Sequence, residues 1–149
     1  MTALDSDECW AVLRSQEFGR MAYHDGESVS LVPINYAVDE QRRLVFRTAE
    51  GEKLLAVKDN DDIAFEVDEI TESTATSIIL RGRAHELTGA EAAWVDTTRL
   101  RPWVPTSKVH VIAIDPFEVS GRTFQLARPW LHMVPDHPIA PRTRRSRAS

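Results

Sequence analysis

Apolar positions recur first at helical spacing. Over residues 4–16, Trp10 and Leu13 with Cys9 or Val12 fall on one side behind Asp5, and Glu8 completes a capping-box pattern, so a short amphipathic helix is predicted. The period then shortens. Residues 19–24 and 29–38 flank a turn at Asp25-Gly26, with Val29, Leu31 and Pro33 set against Ser28 and Ser30, which predicts a β-hairpin. RLVFRT at 43–48 supplies a third strand, and GEKLLAVKDN at 51–60 returns to helical composition with Leu54, Leu55 and Val57 as its apolar side. Residues 63–67 and 77–87 add two strands, the second interrupted by Gly82, where a bulge or close approach is expected. Residues 88–100 predict a helix opened by a second capping box, Thr88 with Glu91, and Pro102 and Pro105 then force a loop. A last strand pair spans 109–114 and 119–126, broken at Asp115-Pro116. Six or seven strands joined mainly by hairpins, with three helices, describe a mainly β protein: a small antiparallel barrel with peripheral helices.

At 149 residues the chain is long enough for one core and short for two. A chain of this size buries roughly 68–70% of its unfolded surface, so it needs no disulfide or structural metal. The single cysteine, Cys9, rules out an internal disulfide framework and a cysteine-based zinc site, and points to a reducing compartment. On the first helix's apolar side, this thiol is expected to act as a small hydrophobe. The N-terminus is acidic and no apolar run approaches about 18 residues, so a cytoplasmic location is expected.

The net charge of −5 conceals an asymmetry, since four arginines lie in the last eight residues and the body without them carries about −9. An acidic body argues against a nucleic-acid-binding fold, and the basic end is read as a solvated tail. The domain is assigned to 1–128, with 129–149 a proline-rich arm and basic, disordered tail.

The motif with the most chemistry is Arg47-Thr48-Ala49-Glu50-Gly51-Glu52-Lys53, where a strand gives way to a helix. Arg47 offers a planar fork of donors, Thr48 a hydroxyl and Lys53 a compact charge. Gly51 admits close backbone approach at a helix N-terminus, a set suited to a phosphate monoester. The same cations could instead be surface residues paired with Glu50 and Glu52. Glu66 and Asp68 share one strand face, and salt links to Arg81 or Arg83 explain them better than acid–base catalysis does. The five histidines are scattered, with only His132 and His137 near one another, so no metal site is expected. Trp94, Trp103 and Trp130 are read first as packing residues, with Trp103 and Trp130 in segments that could reach a bound ring.

Phe18-Gly19-Arg20, Val32-Pro33-Ile34-Asn35-Tyr36, Phe46-Arg47-Thr48 with Gly51 and Lys53, and Ala64-Phe65-Glu66-Val67-Asp68 occur in an order that resembles the flavin-binding split-barrel proteins related to pyridoxamine 5′-phosphate oxidase. The likeness is strongest to the nitroimidazole-resistance-like branch. With Ser77 to Ala84 and Val119-Ser120-Gly121-Arg122, it covers about residues 4–125. The resemblance implies a split β-barrel homodimer holding two FMN molecules at its interface, each touched by both chains. It implies that Arg47, Thr48 and Lys53 hold the FMN phosphate, that Pro33, Ile34 and Asn35 pass along the flavin ring, and that Val45 and Phe46 lie beside it. Asn35 can bond the ring's polar edge. Related proteins carry Gly-Trp-Ser where this chain has Ala75-Thr76-Ser77; Ser77 is kept as a candidate contact and the covering tryptophan is absent.

The resemblance thus implies a flavin-dependent oxidoreductase acting on a small molecule, with nitroaromatic reduction as the candidate reaction. A flavin carries its own redox chemistry, so no nucleophile–base–acid set is required. The alternative is a non-catalytic protein that sequesters or senses a flavin, a haem-related tetrapyrrole, with His132 or His137 as an axial ligand, or a pyridoxal-type phosphate. A deazaflavin could use the same Arg47 and Lys53 cradle. Pyridoxamine 5′-phosphate oxidation ranks last, because the substrate-phosphate residues are not matched.

Overall fold

A computed structural model describes residues 1–49, 62–98, 100 and 109–127. The helix predicted over 51–60, with Gly51 and Lys53, therefore lies outside the described residues, as do Trp103, Trp130, His132, His137 and the arm and tail.

Helix α1 (Ser6–Ser15) starts as the sequence dictates: Asp5 accepts from the Glu8 N–H at 2.8 Å, and the Glu8 carboxylate accepts from the Asp5 N–H at 3.3 Å. Both orphan donors are satisfied reciprocally. Its buried face carries Cys9, Trp10 and Leu13, and at its far end the Tyr36 hydroxyl donates to the Leu13 carbonyl at 2.6 Å.

The strands are β1 (Thr2–Ala3), β2 (Phe18–Asp25), β3 (Ser28–Asn35), β4 (Ala37–Val38), β5 (Leu44–Ala49), β6 (Ile63–Ile70), β7 (Thr74–Leu87) and β8 (Val109–Gln125). All pair antiparallel, and seven of them follow the path β3-β2-β6-β7-β8-β5-β4, with β1 added against β8. One detail of connectivity dictates closure. β3 ends at Asn35 and β4 begins at Ala37, so residues at the two ends of a seven-strand path are separated by Tyr36 alone. Two Cα–Cα steps span at most about 7.6 Å. The sheet must curl until its ends nearly meet, and the result is a split β-barrel.

Several expectations shift. The hairpin turn falls on Gly26-Glu27, because Asp25 pairs with Ser28 and Gly26 takes φ +62, the first position of a type II′ turn. The strand expected over 29–38 is two, since Tyr36 donates its N–H to Glu17 and sends Ala37–Val38 to the opposite end of the path. The expected break at Asp115-Pro116 is absent: β8 runs through it. The β7–β8 register slips between Arg81 and Gly82, leaving Phe117 as the extra residue of a bulge that admits a proline without ending the strand. The second capping box does not form. Thr88 makes no side-chain cap, and Glu91 instead accepts from Arg43 at 3.0 Å, above a short α2 (Gly89–Ala93) that passes into a 3₁₀ turn, Trp94–Thr97.

Alternation divides the apolar residues into two clusters. Inside the barrel, Met21, Ile34, Tyr36, Phe46, Phe65 and Ile112 join Trp10 and Leu13 of α1. On the outer face of β4, β5 and β8, Val45, Val111 and Ala113 join Leu87, Val95 and Leu100, with Trp94 packed against them. Cys9 is buried in the first cluster, where burial and then the nearby Asp5 and Glu8 push its thiol up, as an inert structural thiol should be. Among the described residues, no helix is long and apolar enough to cross a membrane.

Candidate functional site

Alternation also sorts the candidate site residues. Ile34, Val45 and Phe46 are 5%, 0% and 1% exposed, so they can offer a ligand only their main chain. Pro33 and Asn35 point outward from β3. Val45 and Arg47 share the outer face of β5, whereas Thr48 turns to the inner face opposite His110.

Two of these residues lie on the strands that border the split. In the β4–β5 ladder Ala37 faces Val45, and counting back along it sets Asn35 at the level of Arg47, where β3 and β5 come into contact. The Asn35 side-chain oxygen is buried there and has no hydrogen-bond partner among the described residues. Burying an amide oxygen without a donor costs about 1–3 kcal/mol, a cost that a ligand N–H would remove. Arg47 is half-buried on the outer face of β5. Ser77 stands apart: it lies on the outer face of β7 between Asp68 and Arg122, three strand spacings from β3, or about 14 Å. Lys53 lies outside the described residues.

The model of the pyridoxamine 5′-phosphate oxidase family matches residues 5–123. The chain belongs to that family. Among solved relatives, the FAD binding protein of Mycobacterium smegmatis is 33% identical with a TM-score of 0.74, over 85% of this chain and 100% of that one. A conserved protein of unknown function from Corynebacterium diphtheriae is 38% identical with a TM-score of 0.70, over 84% and 98%. An uncharacterized Mycobacterium tuberculosis protein is 30% identical over 125 residues, 79% of this chain and 82% of its own. Where the sequence resemblance anticipates a tryptophan, this family member has Thr76, buried, with its hydroxyl 3.0 Å from that of Thr123.

Sequence reasoning missed a second polar pair. His110 on β8 and Glu86 on β7 meet at 2.5 Å through Nδ1, both half-buried, directly across from Thr48. Only the strand register brings them together, since 24 residues separate them in the chain. Among the described residues no group of three or more His, Cys, Asp or Glu could hold a metal.

The acidic pair on β6 finds a different cation from those expected. Arg81 binds Asp62 at 2.8 and 2.9 Å, and Arg20, opposite Glu66 on β2, lies 4.0 Å from Asp68. The Glu66 carboxyl is held above its ordinary range by its hydrogen bond with Asp68, then by burial and the Asp68 charge, against the opposing charge of Arg20. A carboxyl shifted this way binds its proton more tightly when folded. Its contribution is fully present below the unfolded value near 4.5 and is lost as pH rises through the higher folded value. Glu66→Gln is therefore expected to raise the melting temperature at pH 7, by less than about 1 kcal/mol of stability, and to leave it unchanged at pH 3.5. Paired thermal melts check this; an equal effect at both pH values would refute the assignment.

Proposed function

We propose that the chain binds a flavin at the β3–β5 split and works as a dimeric, flavin-dependent oxidoreductase on a small molecule, nitroaromatics being the first class to try. The observation that carries this reading is the buried, unpartnered Asn35 oxygen at the end of β3, where β3 comes into contact with β5. Family membership supports it, as does the relative described as FAD binding. In this reading Arg47, Thr48 and Lys53 hold the phosphate of FMN, and the Asn35 oxygen accepts an N–H from the ring's polar edge. The main chains of Pro33, Ile34, Val45 and Phe46 line the ring, while the buried side chains of Ile34, Val45 and Phe46 exclude water behind it. A bound flavin supplies hydride and electron transfer within its own ring system.

The outer face also favours a second copy as partner. Val29, Leu31, Ile70, Ile79 and Phe124 stand exposed on the outer face of β3, β6, β7 and β8, an apolar surface suited to a two-fold, self-complementary contact. Such a contact would let Ser77 of one protomer approach the split of the other. Thr76, in place of the tryptophan, favours the second reading: a carrier that binds a flavin, deazaflavin or haem-related ligand without turnover.

The test is an absorbance spectrum after incubation with FMN or FAD and gel filtration, followed by turnover with a reduced nicotinamide and a nitroaromatic acceptor. A retained two-band flavin spectrum at a dimer's elution volume is expected. A colourless protein overturns flavin binding, and retained flavin without turnover on any acceptor selects the carrier.

A further inference from the structure

Next to the split lies a pocket that the flavin reading does not use. It has a volume of about 330 Å³ and is lined by Arg14 at the end of α1, Ala37 and Val38 of β4, Trp94 and Thr98. Its floor continues the candidate site. Ala37 opens β4 across Tyr36 from the end of β3 at Asn35, within about 7.6 Å of it, and pairs with Val45, which precedes Arg47 by two on the outer face of β5, a step of about 6.6 Å.

The lining defines a chemistry. Trp94, half-buried against the cluster that contains Ala37 and Val45, places its indole in the lining. Arg14 is exposed and makes no ion pair or hydrogen bond among the described residues, and the described lining residues include no carboxylate. Thr98 spends its hydroxyl internally, donating to the Val95 carbonyl at 2.7 Å and accepting from the Leu100 N–H at 3.1 Å. Among the described residues, what remains is an aromatic wall, an aliphatic floor and a cation, Arg14, without an ion pair. The volume is at the lower end of small-molecule sites, enough for one ring system and short of a whole dinucleotide.

We propose that this pocket is a second subsite, taking a planar aromatic group that carries an anion and holding it between Trp94 and Arg14 beside the flavin site. The assignment rests on the flavin reading for its role, though not for its binding chemistry. Two sources share that chemistry: the adenylate end of a dinucleotide flavin anchored at Arg47, and a separate aromatic acid presented as reaction partner.

Titration calorimetry with AMP and 4-nitrobenzoate on flavin-free protein, together with FMN and FAD affinities from fluorescence quenching, separates these sources. If the pocket takes the adenylate, FAD binds at least about tenfold tighter than FMN, and Arg14→Gln or Trp94→Leu erases the difference while FMN affinity stays unchanged. If it takes a free acid, FMN and FAD bind alike, and 4-nitrobenzoate affinity falls about tenfold in Arg14→Gln. Trp94→Phe, which keeps a ring, retains most of either signal, and Arg14→Gln, at an exposed position, keeps the wild-type melting temperature. AMP or 4-nitrobenzoate binding that depends on Arg14, in a protein that takes up neither FMN nor FAD, would keep the subsite and discard the flavin reading. If the FAD-to-FMN ratio and both probe affinities stay within twofold of wild type in Arg14→Gln and Trp94→Leu, the subsite is overturned even where flavin binds.

Discussion

Replacing Gly82 with alanine is expected to destabilise the fold by about 3 kcal/mol, a drop of roughly 6–12 °C in melting temperature for a chain of this length. A Cβ at Gly82 would stand 2.3 Å from the Asp115 carbonyl oxygen and 2.9 Å from Ile114 Cγ2. The nearer atom is backbone, so no rotamer change relieves the clash, and β7 and β8 would have to part at the bulge that admits Pro116. Gly26→Ala is the control. Gly26 has open space around it and is glycine for its φ of +62, so alanine there should cost only the left-handed penalty of about 1 kcal/mol. Denaturant melts of the two variants separate a steric from a conformational role. A Gly82→Ala cost no greater than that of Gly26→Ala would mean the strands do not approach this closely.

The same glycine shows how far the sequence could be read. A Gly within an apolar strand announces a bulge or a close approach, and both occur at Gly82. What it could not announce is that the bulge rescues the opposite strand, so Asp115-Pro116 looked like an end when it is a bend. Local signals with local consequences were legible: Asp5 and Glu8 cap α1, and the alternation around Leu31 forms its hairpin. Thr88 with Glu91 has the same local grammar and failed, because Arg43, 48 residues distant from Glu91, competes for that carboxylate. Closure was legible only as a class. That Tyr36 alone joins the two ends of the strand path depends on pairings no periodicity reveals.

For the site, the motif around Arg47 was readable and its sidedness was not. Asn35 and Arg47 both face outward near the split, because alternation along β3 and β5 sets them opposite in parity to their neighbours. That parity also sends Ile34 and Phe46 into the core. Register likewise joins His110 to Glu86 and decides that Arg20, not Arg81 or Arg83, answers the carboxylates of β6.

Substituting Arg47 by alanine should weaken FMN binding about 10- to 100-fold, the equivalent of the 1.5–3 kcal/mol that a charge-assisted hydrogen bond to a phosphate contributes. Arg47→Lys should recover part of the loss, because it restores the charge without the planar fork. Arg47 is half-buried on β5, so loss of binding could in principle come from a loosened strand. Riboflavin removes that ambiguity, since it carries the same ring and ribityl chain without the phosphate. If Arg47 holds the phosphate, riboflavin affinity stays within about twofold of wild type in Arg47→Ala while FMN affinity falls to meet it. If the two ligands weaken in parallel, Arg47 shapes the split and the phosphate is held elsewhere. If the buried Asn35 oxygen takes the ring's polar edge, Asn35→Ala should show the complementary pattern, weakening riboflavin and FMN alike, because both ligands share that ring. The two variants together thus assign the ends of the ligand to the two strands that meet at the split.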